Sequence, residues 1–254
     1  MSDSHSGADY VKAITALHSD RRARSAFQDL VLQIAGPGAV LFDFGAGPGI
    51  DARFYADRGY MVHAYDVDPQ MCEYFSVHCR DFIQAGQVTL DGRTYGDFLV
   101  RETVGDGQIS LVTSNFAPLN LIHDLHALFA KFSALTRPGG KVLASVLSPY
   151  YIGDMKYGWW WRNSRRLWRD GHFSVQGVQA PIVRRRLANF ADQSAPYFAL
   201  TRVFPGLPAH RGSQGNGVDV THSGGRAWLR LTTCRYMFLL FEKRDFRQEG
   251  GSPR

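Results

Sequence analysis

The chain has 254 residues, 44% of them apolar, with a formal charge of +6 and three cysteines. That composition suits one α/β domain with an elaboration, and no run of about 18 apolar residues is present to span a membrane. The polar, acidic start from Met1 to Asp9 is unlike a secretory leader, and Cys72, Cys79 and Cys234 lack metal-site spacing and fit a reducing cytoplasm.

Residues 1–9 read as disordered, and Tyr10–Ile34 as helix with apolar positions at Val11, Ile14, Leu17, Phe27, Leu30, Val31 and Ile34. Its polar middle, His18 to Arg24, is a place where it can break in two. A Gly36-Pro37-Gly38 turn leads into an apolar strand, Ala39 to Phe42, that ends in Asp43 with Gly45, Gly47 and Gly49 at alternate positions. A helix over Ile50–Arg58 is closed by Gly59, and a second strand, Tyr60–Tyr65, ends in Asp66. Pro69 starts a helix that runs to Ala85, and Gln87–Leu90 is a third strand. A helix over Tyr95–Val104 precedes a fourth strand, Gln108–Ser114. A helix over Asn120–Leu135, an Arg137-Pro-Gly-Gly140 turn and a strand over Lys141–Leu147 follow.

Beyond that point the pattern changes. Ser148–Arg186 reads as an insertion: a helix around Asp154–Arg169, then a hairpin of Phe173–Val175 and Pro181–Arg186. Leu187–Ser194 is a crossover helix, Tyr197–Phe204 a strand, Pro205–Gly225 a mobile loop and Arg235–Lys243 a closing antiparallel strand, with a disordered tail from Arg247. The fold class expected is Rossmann-like and doubly wound, a mostly parallel seven-stranded sheet with an antiparallel last strand. The divisions are a leading helical segment (1–35), a cofactor-binding core (36–147), a substrate cap (148–186), the remaining core (187–246) and a tail (247–254).

Strand, glycine turn, helix, strand and acid make a ligand site: glycines admit close backbone approach, and a helix start offers free N–H groups. The dinucleotide fingerprint needs glycine where Ile50 stands. What is present, D-x-G-x-G-x-G from Asp43 to Gly49 with Asp66 as the following acid, resembles motif I of the class I S-adenosylmethionine-dependent methyltransferases. The Tyr65-Asp-Val-Asp-Pro-Gln-Met71 segment looks like that family's second-strand end, and the strand, helix, Pro-Gly-Gly, strand order extends the likeness over about 36–148. The resemblance implies S-adenosyl-L-methionine as cofactor, S-adenosyl-L-homocysteine as product and no metal. It places Asp43, Gly45, Ala46, Gly47 and Gly49 at the amino-acid portion, and Asp66, Val67 and Met71 around the adenosine. Asp91 and Tyr95 are candidates for the adenine contact. Asn115 and Phe116, beyond the end of the fourth strand, face the cofactor. An arginine of the leading helix meets the methionine carboxylate or lies on the surface.

The acceptor is less defined. Asn115-Phe-Ala-Pro118 lacks the Asn-Pro-Pro-Tyr run of family members that methylate adenine or glutamine nitrogen. Candidate acid–base groups are His123, His172 and Tyr150, and candidate substrate contacts are Tyr150, Tyr151, Trp160, Arg184 and Arg186. The positive excess gathers in Arg162, Arg165, Arg166, Arg169 and Arg184 to Arg186, as a solvated face or as a site for an acidic partner. The leading expectation is O- or N-methylation of an acidic, phenolic or heterocyclic small molecule. The alternatives are a carrier-protein-bound acyl group or RNA, and a non-catalytic binding subunit. Nucleic acid is disfavoured, no membrane partner is expected, and the oligomeric state is open.

Overall fold

The computed structural model describes residues 18–177, 180–206, 218–219 and 231–244. The disordered ends and most of the Pro205–Gly225 loop expected from sequence lie outside them. Among the described residues no helix is long and apolar enough to cross a membrane.

The sheet is built from β1 (Val40–Phe44), β2 (Met61–Tyr65), β3 (Val88–Asp91), β4 (Ile109–Ser114), β5 (Thr136–Leu147), β8 (Phe198–Pro205) and β10 (Tyr236–Lys243). Its order is β3-β2-β1-β4-β5-β10-β8, and a two-residue strand, β9 (Val218–Asp219), extends the β8 edge. β1 to β5 pair in parallel, and β10 runs antiparallel between β5 and β8. This is the Rossmann-like, mostly parallel seven-stranded sheet with an antiparallel last strand. The first crossover reverses at β1/β4, which puts the open crevice at the carboxyl ends of those strands.

β1 shows why the central strands read as apolar runs. Leu41 packs on one face of the sheet with Val62, Phe27 and Tyr55, while Phe42 and Phe44 pack on the other with Phe98, Phe129 and Phe132. A strand covered on both faces has no side that needs polar residues. Each such side chain, fully buried, contributes about 1.5–3 kcal/mol, so Asp43 in this strand stands out.

Several boundaries depart from expectation. The described part of the leading helix, α1 (His18–Ile34), is continuous from His18 onward, and the Tyr10–Leu17 part expected from sequence lies outside the described residues. Asp20 and Ala23 are buried, and Arg24 is ion-paired with Asp51 of α2 (Ile50–Ala56). The helix after β2 divides at Cys79 into α3 (Pro69–His78) and α4 (Arg80–Gln84), and α5 is shorter than expected, Tyr95–Val100. The helix after β4 does not begin at Asn120. Pro118–Asn120 is a 3-10 turn, and α6 (Leu125–Leu135) starts at the N-cap Asp124, whose Oδ1 accepts from Ala127 N at 3.0 Å. Asn120 is held out of the helix by its own amide, which donates to Val183 O at 2.6 Å and accepts from Leu147 N at 2.9 Å. β5 begins before the expected turn, with Thr136 opposite Ile109 and an irregularity before Lys141 meets Leu111.

The insertion forms two helices, α7 (Ile152–Met155) and α8 (Gly158–Asp170), and a separate hairpin, β6 (His172–Val175) and β7 (Ile182–Arg185). α9 (Leu187–Ser194) falls where the sequence put it. β7 is stitched across the rim of the sheet. Besides the Asn120 bond, Arg184 donates to Ser148 O at 2.6 Å, and Arg185 donates to the carbonyls of Leu119, Ile122 and His123. Charged donors on backbone carbonyls are among the stronger hydrogen bonds, so the hairpin is anchored over the ends of β4 and β5.

Candidate active site

Parallel strands β1 and β2 deliver Asp43 and Asp66 to the same end of the sheet. The loop between Phe44 and α2 is shaped by what surrounds it. A Cβ on Gly45 would lie 2.5 Å from the Pro118 ring, and one on Gly49 would lie 2.8 Å from Cys79 Sγ and 2.9 Å from Phe75, both at positive φ. Only glycine satisfies space and backbone together at these two positions. The loop amides are then fixed. Gly45 N and Ala46 N donate to Tyr65 O, and Gly47 N donates to Asp66 Oδ2 at 2.7 Å.

Asp66 Oδ1 accepts from Asp68 N at 2.9 Å. Each of its oxygens therefore holds one backbone N–H and keeps a lone pair for a ligand hydroxyl. Burial raises its pKa, opposed by the Asp68 and Gly47 amides. Val67 is exposed beside it and Met71 is buried.

Asp43 is enclosed. Its Oδ1 accepts from Thr113 Oγ1 at 3.0 Å, and its Oδ2 has no partner among the described residues. Burial pushes its carboxyl up to about 8, reinforced by the charge of Asp51 and opposed by the Thr113 hydroxyl and Arg24. An unsatisfied carboxylate oxygen in a fully buried position is costly unless a donor or cation arrives.

Sequence reasoning missed the cluster beside it. Asp51 accepts from Arg24 Nη1, from Gln28 Nε2 at 2.7 Å and from Asn115 Nδ2 at 3.1 Å. The Arg24 guanidinium also lies 4.4 Å from the Phe116 ring centroid, a cation–π distance. Phe116 and Ala117 both sit at positive φ, which strains residues with a Cβ. Leading helix, glycine-loop helix and β4 end are thus joined in one polar knot. The only signal for it in the sequence is Asp51 just after the last motif glycine; the partner on α1 is too distant in the chain to pair by inspection.

At the other end, Asp91 closes β3 opposite Tyr65. Its Oδ1 is taken by Arg93 N and Nε, while its buried Oδ2 and the Tyr95 hydroxyl have no partner among the described residues. The crevice thus carries an orphan carboxylate oxygen at Asp43 and another at Asp91, with Asp66 between them along the strand order. That donor demand fits a ligand with an ammonium at one end, a diol in the middle and an amine-bearing heterocycle at the other. S-adenosylmethionine has those groups in that order.

The candidate acceptor residues are placed as follows. Tyr150 and Tyr151, just past β5, are half-buried, and the Tyr150 amide donates to Ser148 Oγ at 3.2 Å. Burial raises the Tyr150 pKa, and the positive charge of Arg186 acts against it. Trp160 is buried, with Nε1 donating to Pro149 O at 2.9 Å. Arg184 is ion-paired with Asp154 at 3.1 Å. Arg186 is half-buried, and its Nε has no partner among the described residues. His123 is exposed in the turn before α6, not on that helix, and His172 opens β6 with Nδ1 3.0 Å from Asp170 O. No hydrogen bond or ring contact joins either imidazole to the glycine loop, Asp43 or Asp66 among the described residues.

Comparison with known proteins agrees with this geometry. A family model described as a methyltransferase domain matches residues 18–188. The match covers more than half of the chain, which belongs to the class I S-adenosylmethionine-dependent methyltransferases. Among solved structures, a TehB-like S-adenosylmethionine-dependent methyltransferase from Corynebacterium glutamicum is similar, with 14% identity over 96% of this chain and 100% of that one, at a TM-score of 0.58. Burkholderia thailandensis 1,6-didemethyltoxoflavin-N1-methyltransferase, solved with 1,6-didemethyltoxoflavin and S-adenosylhomocysteine, has 16% identity over 96% of this chain and 92% of that one, at 0.58. Geranyl diphosphate C-methyltransferase from Streptomyces coelicolor also has 16% identity, over 96% of this chain and 83% of that one, at 0.58. At such identities the likeness is one of fold. No curated protein matches the sequence.

Proposed function

We propose that this enzyme methylates oxygen or nitrogen of a small acidic, phenolic or heterocyclic acceptor. The observation that carries the reading is the rim after β5, where Arg186, whose buried Nε has no partner among the described residues, acts on the half-buried Tyr150 phenol beneath an anchored hairpin. A cation acting on half-buried aromatic side chains suits a flat or anionic molecule. The neighbouring didemethyltoxoflavin enzyme, which acts on a heterocycle, is consistent with that choice.

When bound, the cofactor supplies an electrophilic methyl group for in-line displacement. The residues of this chain align and enclose. Asp43 and the Gly45–Gly49 loop, whose glycines admit close approach, hold the amino-acid end, with Arg24 turning from Asp51 to the carboxylate. Asp66 takes the ribose hydroxyls, with Val67 and Met71 flanking the adenosine and Asp91 taking the adenine amine. Asn115 and Phe116 line the path to the acceptor. Tyr150 stays protonated at neutral pH, so its role is to donate a hydrogen bond and orient the acceptor. Arg186 favours an acceptor in its anionic form, which lessens the need for a base. Tyr151 and Trp160 wall the pocket, and Arg184 holds its roof through Asp154. His123 and His172 lie at the outer edge, where either can take up a released proton.

The test is transfer of labelled methyl from S-adenosylmethionine to a panel of hydroxybenzoates, phenols and N-heterocycles. The reading requires turnover on at least one member and a marked rise in KM for that substrate in Arg186→Met. Turnover confined to protein- or RNA-bound acceptors contradicts it.

A further inference from the structure

We propose that α8 is a docking surface for an acidic helix of a partner protein. This inference is independent of which small molecule is methylated.

The helix GWWWRNSRRLWRD uses its inner side, Trp160 and Leu167, seven residues apart, to pack on the body. Trp161 and Trp168, again seven apart, are 60% and 67% exposed, and Tyr157 at the N-cap is 49% exposed. Large aromatic side chains left in water are the informative kind of exposed residue. Beside this aromatic ridge run Arg162, Arg165, Arg166 and Arg169, all exposed. Arg169 is paired with Asp170, and the other three make no ion pair among the described residues.

The pattern points to a helix as occupant. Residues 161, 165 and 168 form one stripe at i, i+4 and i+7, and residues 162, 166 and 169 form a second beside it. A Trp161–Arg165–Trp168 stripe beside an all-arginine stripe complements a helix that carries apolar residues flanked by Asp or Glu. All four cations of α8 are arginines, whose planar fork grips carboxylates in two-point contacts. Tryptophan and arginine are also the residues that dominate protein-interface energetics. Trp161 is preorganised, because its Nε1 donates to Met155 O at 2.7 Å and its ring meets Trp160 edge-on at 4.9 Å.

Other occupants fit less well. An interfacial membrane helix turns a broad apolar face outward, whereas α8 packs Trp160 and Leu167 inside and exposes Trp161 and Trp168 interleaved with four arginines. The indoles of Trp161 and Trp168 are about 10 Å apart along the axis, with an arginine between them, which is not a continuous stacking platform for bases.

The experiment is fluorescence anisotropy on the full-length protein with two labelled, stapled helical peptides of equal composition. One carries a leucine stripe at i, i+4, i+7 flanked by glutamates, and the other has the same residues scrambled. A labelled single-stranded RNA 15-mer and phosphatidylcholine–phosphatidylglycerol vesicles are run in parallel. The striped peptide is expected to bind at least about tenfold tighter than the scrambled one, and Trp168→Ala and Arg165→Glu each to weaken it about tenfold or more. Both side chains are exposed, so the melting temperature stays unchanged. Equal or absent binding of the peptides, unaltered affinity in the variants, or preference for RNA or vesicles overturns the proposal.

Discussion

Asp43→Asn separates the cost of this site from its use. The carboxyl titrates at about 8 in the folded chain against an ordinary 3.8, because burial disfavours its charge. The folded state therefore holds the proton more tightly than the unfolded state. Below 3.8 both are protonated and the group contributes no pH dependence. Between 3.8 and 8 unfolding releases a proton, so stability falls as pH rises, by at most about 1.4 kcal/mol per pH unit. From pH 5 to pH 7 the native chain loses about 2–3 kcal/mol at this residue, and the loss levels off above about 8. Asparagine keeps the shape and a partner for Thr113 but does not titrate. Urea unfolding of both proteins from pH 5 to pH 8 is expected to show the variant gaining on the native chain throughout. Carboxylates remote from Asp43 are common to both and cancel in the difference, which leaves Asp43 with its coupling to Asp51 and Asp66. The same variant is expected to bind S-adenosylhomocysteine roughly ten- to a hundredfold more weakly, having lost a charge-assisted contact of about 1.5–3 kcal/mol. A stability difference that does not change with pH, or a variant less stable at every pH, refutes the argument.

Three further outcomes follow from the same geometry. Gly49→Ala forces a Cβ into Cys79 and Phe75 at positive φ and is expected to cost about 2–4 kcal/mol in thermal unfolding. Gly47→Ala, with open space around it, is expected to cost about 1–2 kcal/mol yet to weaken cofactor binding more than its stability loss explains. A double-mutant cycle of Arg24→Met and Asp51→Asn is expected to show a coupling of about 2 kcal/mol in denaturant, since Arg24 is half-buried and Asp51 is buried and also held by Gln28 and Asn115; additive losses show that the ion pair contributes nothing specific.

The parts legible in the sequence are those with local signatures. The β1 and β2 strands, the glycine loop, Asp66 and the order of elements up to β5 follow from apolar runs, turn residues and spacing. α9 and β10 also fall where periodicity placed them. What was not legible depends on partners far apart in the chain. The polar stretch of α1 looked like a break because nothing in the sequence couples Arg24 to Asp51. His123 looked helical because Asn120 seemed a fair helix start, yet its amide is committed to Val183 and Leu147. The adjacent Arg184, Arg185 and Arg186 looked alike in sequence, but β7 assigns the first to Ser148 and Asp154 and the second to three carbonyls. That leaves Arg186 with a buried nitrogen unpartnered among the described residues.

The most direct test of the central claim is calorimetric titration of S-adenosylhomocysteine into the native chain and into Asp66→Ala, side by side. One site is expected in the native protein and at least about a tenfold loss of affinity in the variant, because Asp66 both organises Gly47 and offers its remaining lone pairs to the ribose. Equal affinity in the two proteins, or no binding to a folded native chain, contradicts it.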